Sequence, residues 1–360
     1  MSARSCQPAT FVFLSGTGNS RLVAHWLAEA ARAAGIAAEA VPMAASRARA
    51  PEAGLLGLVY PTHGFTAPWY VLRYALGLPR GRAAQAVVIA TRAGAKVGRV
   101  FTPGLEGTAV YLVGLILALK GYRLRAALGV DMPSNWTAVH PGFGPEAAEA
   151  ITSRARARAT SLLERVLAGR TAFRGLLPLL LGLALAPVSL GYLVWGRFLF
   201  AKLFFATTRC NACGLCARLC PVGSLRVKGG DSGRPYWGLG CESCMRCMNF
   251  CPRRAVEVGY LSAVLLSLAT SLPVAAAVAS WAGIGGLPPL LARPARFAVE
   301  YAWYLSALSA GYAVLWHVLR VRFVNGLFAW ATPTRWYRRY RAPGTTAADL
   351  EGRQGRTAEG

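Results

Sequence analysis

The nine cysteines divide sharply. Cys6 stands alone, and the other eight fall into two copies of one spacing. Cys210, Cys213, Cys216 and Cys220 are followed by Pro221; Cys241, Cys244, Cys247 and Cys251 are followed by Pro252. Each copy reads Cys-x2-Cys-x2-Cys-x3-Cys-Pro. Three closely spaced thiolates can wrap three corners of an iron–sulfur cubane, while the fourth, turned away by its proline, reaches the neighbouring cluster. The spacing therefore predicts two [4Fe-4S] clusters. One takes Cys210, Cys213, Cys216 and Cys251; the other takes Cys241, Cys244, Cys247 and Cys220. Zinc is the weaker alternative, because zinc sites pair two CxxC units across a longer gap and need no CxxCxxC triple. Residues 1–10 show no charged region leading into an apolar one, so reduced thiolates in the cytoplasm are expected rather than disulfides.

Between the copies, Gly229-Gly230-Asp231-Ser232-Gly233 suits a hairpin turn joining two pseudo-symmetric halves, and Gly214 allows backbone close to the cluster sulfurs. Arg218, Arg246, Arg253 and Arg254 read first as a solvated face, with tuning of the cluster potential or binding of an acidic partner as the alternatives.

A second constellation is Ser15-Gly16-Thr17-Gly18-Asn19-Ser20, directly after an apolar run and at the start of a helical pattern. Hydroxyls and free backbone N–H groups at a helix N-terminus suit a phosphate dianion. The loop is neither GxGxxG nor a Lys-bearing P-loop, so NAD and ATP are disfavoured. It resembles the FMN phosphate loop of flavodoxins, with Ser15, Thr17, Gly18, Asn19 and Ser20 as the residues that would hold the cofactor. Two further loops should lie at the same end of the sheet: Pro61-Thr62-His63-Gly64-Phe65-Thr66 and Thr91-Arg92-Ala93-Gly94. Their backbone groups would hold the isoalloxazine edge, with Phe65, Trp69 or Tyr70 available to stack on it.

Several elements must position these residues. Strands are expected near 10–15, 36–41, 54–60, 85–91 and 123–131, and helices near 19–34, 68–76, 104–121 and 145–169. That alternation predicts a doubly wound, five-stranded parallel α/β sheet of flavodoxin-like type over 8–170. A small α+β dicluster ferredoxin-like domain should occupy 207–256.

The phosphate loop, the Met132-Pro133-Ser134-Asn135 element and the double cysteine repeat together resemble the bacterial flavodoxin–ferredoxin fusion family. The resemblance covers roughly residues 10–255 and implies an FMN-binding N-terminal domain exchanging electrons with two [4Fe-4S] clusters. The chain departs from it by adding apolar segments from Tyr260 onward.

Across the whole chain 54% of residues are hydrophobic while the net charge is +25. Such a chain points to a membrane rather than to nucleic acid, for which no reading motif is present. Residues 175–206 carry basic residues on both flanks and contain Pro187, which suggests a re-entrant or interfacial helical hairpin. Segments 260–281 and 301–319 would cross and return as a transmembrane hairpin. The 320–360 tail would lay Arg335, Arg338, Arg339 and Arg341 against anionic lipid before becoming disordered from Ala342. Both redox domains would then face the cytoplasm of a bacterium. Cys6 has no expected role, and His317 lacks a second helical histidine for haem.

The function expected is a membrane-associated electron relay between the clusters and FMN, with a redox protein and membrane lipid as partners. A flavin-dependent reductase of a small molecule and a non-catalytic redox-sensing or scaffold subunit are the alternatives. No catalytic residue is assigned.

Overall fold

Apolar runs of strand length alternate with helical patterns as far as residue 173, and they assemble as one mixed sheet. The computed structural model describes residues 8–46, 54–82, 84–173, 175–230, 233–283 and 288–350. Cys6, Arg174, Asp231, Ser232 and the tail beyond Leu350 lie outside the described residues.

The elements run β1 (Ala9–Phe13), α1 (Asn19–Ala33), β2 (Ala38–Pro42), β3 (Leu55–Pro61), α2 (Trp69–Gly77), β4 (Gln85–Val97), β5 (Val100–Thr102), α3 (Ala109–Leu119), β6 (Arg123–Pro133), α4 (Pro145–Leu167) and β7 (Ala172–Phe173). The sheet order is β2-β1-β3-β4-β6-β7, with β5 paired to β4. Every pair is parallel except the β4–β5 hairpin. The first five strands of this order reproduce the flavodoxin-like arrangement 2-1-3-4-5. Seven strands stand where five are expected, because β4 runs on into a hairpin and the two-residue β7 adds to the edge. Helix α3 also starts later than expected: residues 103–108 are committed to polar contacts and to Gly107 at φ 54°.

The core sits between the sheet and its helices. Phe11, Phe13, Val87, Ile89, Leu128 and Val130 face α1 and α4. Helix α4 presents Ala155, Ala159, Leu162, Leu163 and Val166 at helical spacing, which turns one continuous stripe inward.

The apolar segment after β7 forms α5 (Leu176–Ala184) and α6 (Ala186–Gly191), leading through a π-turn at Tyr192–Gly196 into α7 (Arg197–Ala201). The bend of 49° falls at Leu185, two residues before Pro187, which sits in the first turn of α6 where its missing N–H costs nothing and the preceding helix cannot run on. Gly182 packs against the Gly107 carbonyl and the Tyr111 ring, and Ser189 Oγ donates to the Phe65 carbonyl. Leu176, Leu177, Leu180, Leu183, Val188 and Leu190 remain exposed.

The cysteine region comprises β8 (Phe204–Ala206), α8 (Leu215–Arg218), β9 (Leu225–Lys228), β10 (Arg234–Trp237), α9 (Arg246–Asn249) and β11 (Val256–Val258). β8 pairs antiparallel with β11, and β9 with β10. Then come α10 (Tyr260–Ala269), α11 (Leu272–Trp281), α12 (Pro289–Val318) and α13 (Arg322–Ala331).

Contiguous domains are expected from the sequence, but the compact units are interleaved. One comprises Met1–Val194, Cys244–Phe250 and Arg338–Gly360; the other comprises Trp195–Ser243 and Cys251–Tyr337.

Among the described residues, Tyr260–Trp281 is the one stretch that is long and apolar enough to cross a membrane by itself, and the bent pair 176–184 and 186–201 would be a second if taken as one span. Residues 301–319, expected as the returning span, do not belong with them. Their polar groups bond within their own compact unit: Tyr304 OH donates to the Trp195 carbonyl, Tyr312 OH to the Phe204 carbonyl, and Trp316 Nε1 to the Pro235 carbonyl. Tyr312 and Trp316 also meet the Tyr236 ring edge to face at 5.2 and 5.8 Å.

Candidate functional site

The two cysteine copies fold alike. Ala212 (φ 56°) and Ser243 (φ 50°) each lie two residues after the first cysteine, and Gly214 (φ 72°) and Met245 (φ 62°) each follow the second. Three of these four are non-glycine residues in the left-handed region, an arrangement that costs energy and persists where a loop must wrap something. A one-turn helix follows in each copy, α8 and α9.

None of the eight cysteines of the two copies is in a disulfide. Burial, then the nearby Cys210, Cys251 and Cys213, push the Cys216 thiol up to about 12. Cys251, the fourth cysteine of the second copy, is thus a charged neighbour of Cys216 alongside Cys210 and Cys213. Four thiolates packed this closely repel one another unless iron supplies positive charge, so the donor set suits a cluster. Among the described residues no three His, Cys, Asp or Glu side chains converge on a single metal ion. Ligands of a cubane stand further apart, each on its own iron. Ala255 N donates to Cys251 Sγ (3.3 Å) and Ser243 N to Cys241 Sγ (3.4 Å). Such bonds to sulfur raise a cluster's potential by easing its negative charge. Lys202 is buried, donates to the Trp237 carbonyl at 2.6 Å and has Cys241 as a charged neighbour.

In the other unit, Ser15, Thr17, Asn19 and Ser20 are all buried at the entry to α1, and Gly18 takes φ 109°. Gly18 N donates to Ser15 Oγ, and Ser20 Oγ shares a hydrogen bond with Thr91 Oγ1 at 2.9 Å. Asn135, in the element that carries the family resemblance, donates to Thr17 Oγ1 at 3.0 Å; Asn19 Nδ2 donates to the Pro133 carbonyl at 2.8 Å. Residues 15–20 therefore meet residue 91 and the end of β6; residues 91–94, expected as a loop after the fourth strand, lie within β4 instead, because that strand stays paired with β6 as far as Gly94.

Arg246 is not on a solvated face. Its buried guanidinium donates to the carbonyls of Ser15, Gly16 and Leu350. Beside it, a Cβ on Gly16 would stand 2.0 Å from the Cys244 carbonyl oxygen, so only glycine lets the second cysteine loop approach.

The second predicted loop, 61–66, bonds to the third through Thr62 N and the Thr91 carbonyl. His63 and Thr66 close it with a reciprocal backbone pair, and the Tyr192 ring packs against Gly64. Thr62 Oγ1, His63 Nδ1 and Thr66 Oγ1 are buried without a hydrogen-bond partner. Three orphaned polar atoms in one loop suit a polar ring edge such as that of a flavin. Trp69 is exposed at the start of α2, and Phe65 takes φ 59°.

Arg92 offers its backbone alone to this region. Its side chain is buried in a network, donating from Nε to Asp131 Oδ1 at 2.7 Å, from Nη2 to Asp131 Oδ2 at 3.1 Å, and from Nη1 to Glu106. Gly94 packs on Asp131, so it too belongs to this network.

Burial pulls the His63 imidazole from 6.5 down to about 4. A histidine with a depressed folded pKa is neutral in the fold and gains a proton on unfolding as pH drops. Its contribution is complete above pH 6.5 and is lost as pH falls through 4. His63→Gln is expected to remove roughly 3 kcal/mol of acid destabilisation over that window. Urea unfolding at several pH values measures it, and parallel pH dependence in both proteins would refute the assignment.

The structure also brings residues from the far end of the chain to this loop. Tyr340 OH donates to Asn19 Oδ1 at 2.7 Å, Ala342 N donates to the Thr17 carbonyl at 2.8 Å, and Arg21 pairs with Asp349 at 2.9 Å. Residues 340–350, expected to be disordered from Ala342, are thus anchored beside the 15–20 loop. The Pro343-Gly344 turn was the only local hint.

Residues 204–226 match the 4Fe-4S binding domain family. No curated protein matches the chain. Two solved structures are similar to part of the chain. A flavodoxin from the domain Archaea is 11% identical, with 44% of this chain and 98% of that chain covered and a TM-score of 0.30. Rubredoxin oxygen:oxidoreductase from Desulfovibrio gigas is 19% identical, covering 45% and 38%, with a TM-score of 0.27. The strand order carries the fold assignment: the chain combines a flavodoxin-like domain with a ferredoxin-type [4Fe-4S] segment.

Proposed function

We propose that this protein is a membrane-attached one-electron relay holding two [4Fe-4S] clusters and FMN. The reading rests above all on the two cysteine loops, which have the same spacing and the same left-handed residues at matching positions. When bound, the clusters would pass single electrons and the flavin would supply exchange between one- and two-electron chemistry.

The chain's own residues hold and insulate. Cys210, Cys213, Cys216 and Cys251 would form one ligand set; Cys241, Cys244, Cys247 and Cys220 would form the other. Ser15, Thr17, Gly18, Asn19 and Ser20 would seat the phosphate, while the 61–66 loop and the backbone of Thr91, Arg92 and Gly94 would face the ring. His63, kept neutral by burial, can present Nδ1 to a ring polar atom without adding charge. The exposed apolar faces of α5, α6, α10 and α11 support attachment to lipid, with the redox units on the cytoplasmic side of a bacterial membrane and a redox protein as partner.

The test is anaerobic purification in mild detergent, then acid extraction to count flavin, iron and sulfide. About one FMN and about eight irons per chain are expected. Eight irons without flavin would reduce the protein to a membrane-tethered iron–sulfur carrier. Fewer than about four would remove the reading altogether.

A further inference from the structure

We infer that the C-terminal segment 340–350 completes the phosphate site, with the Thr345 hydroxyl as a ligand of a flavin phosphate monoester. The inference rests on the FMN reading above and adds to it a residue from the other end of the chain.

Three observations carry it. Thr345 is 6% exposed, and its Oγ1 is buried with no hydrogen-bond partner. That oxygen lies 2.5 Å from where a Cβ on Gly18 would stand, with the Ala342 methyl at 2.8 Å, so it is aimed at the residue that caps the fifteen-residue helix α1. The segment is also fixed in place. Ala342 N bonds the Thr17 carbonyl, Thr345 N bonds the Ala342 carbonyl, Tyr340 OH bonds Asn19, and Asp349 is held by both Thr346 and Arg21.

A buried hydroxyl without a partner costs energy unless something at the site accepts its proton. The first turn of α1 offers N–H groups and positive potential, which attract an anion and leave no intrinsic acceptor for the hydroxyl. A phosphate oxygen at that turn satisfies both: it accepts from the helix N–H groups and from Thr345 Oγ1. Gly18 is required because any side chain there would collide with Thr345. The alternative, a purely structural plug, would more naturally place a methyl group at this position than an unpaired hydroxyl.

The experiment compares FMN with riboflavin, which lacks the phosphate, by quenching of flavin fluorescence on the full chain in detergent with its clusters intact and flavin removed. The unaltered protein should bind FMN more tightly than riboflavin. Thr345→Val, which keeps the shape and removes the hydroxyl, should weaken FMN about tenfold while leaving riboflavin unchanged. Thr345→Ser should restore FMN binding. Equal FMN affinity in Thr345→Val and the unaltered protein would overturn the Thr345 assignment alone. Parallel loss of both flavins would overturn it as well, by showing that the residue acts through packing. If the unaltered protein does not distinguish the two flavins, the phosphate-site reading falls together with this inference.

Discussion

Replacing Cys216 and Cys251 together by alanine is expected to remove no more iron than replacing Cys216 alone, about four of eight atoms per chain. Pairing Cys216→Ala with Cys220→Ala should instead remove or convert both clusters. The contrast follows from the crossed spacing and from the neighbourhood of Cys216, whose thiol is pushed up by burial and by Cys210, Cys251 and Cys213. Adjacent residues in sequence would thus serve different clusters, while residues from separate copies serve the same one. Iron and sulfide counts, with electron paramagnetic resonance of the reduced protein, read the result. Loss of both clusters in the Cys216/Cys251 variant, with one retained in the Cys216/Cys220 variant, would refute the crossed assignment.

The second large effect should come from Arg246→Met. The guanidinium bridges three carbonyls, those of Ser15, Gly16 and Leu350, from a position 5% exposed. Removing it leaves acceptors without donors in a place that water scarcely reaches. A loss of roughly 3 kcal/mol is expected, seen as a lower denaturant midpoint for the flavodoxin-like unit. Arg246→Lys should recover little, since a single ammonium cannot span a fork of three acceptors. An unchanged midpoint in Arg246→Met would show that the carbonyls find other partners. Flavin retention should fall with stability, because the same carbonyls shape the loop that precedes α1.

Much of this was legible in the sequence where the signal is local. The cysteine spacing is covalent arithmetic, and the strands β1, β3, β4 and β6 announce themselves as apolar runs bounded by turn residues. The hydroxyl-rich loop is visible because a helix N-terminus needs nothing from far away. Signals that depend on distant partners were not legible. Arg246 reads as one basic residue among many, and only tertiary structure shows three carbonyls waiting for it. The 301–319 segment has apolar content close to that of a membrane span, and nothing local shows that Tyr304, Tyr312 and Trp316 bond the backbone carbonyls of Trp195, Phe204 and Pro235. Arg92 is expected just after a strand, where a flavin-loop residue belongs, yet it lies within β4, and Asp131 and Glu106 claim its side chain. Polar residues at 340–350 look like a solvated tail until Asn19, Thr17 and Arg21 appear as their partners.

The anchoring of residues 340–350 beside the 15–20 loop also sets a timetable. Tyr340 and Asn19 are 321 positions apart, and Arg246 and Ser15 are 231 apart. At a synthesis rate of roughly 5–20 residues per second, the loop before α1 waits on the order of half a minute on the ribosome for the segment that closes it. During that interval the hydroxyl-lined loop is open, the apolar helices are emerging, and the cysteines are appearing in two bursts. Cofactor delivery can therefore precede closure, and a nascent chain halted before residue 338 should hold flavin more loosely than the finished one.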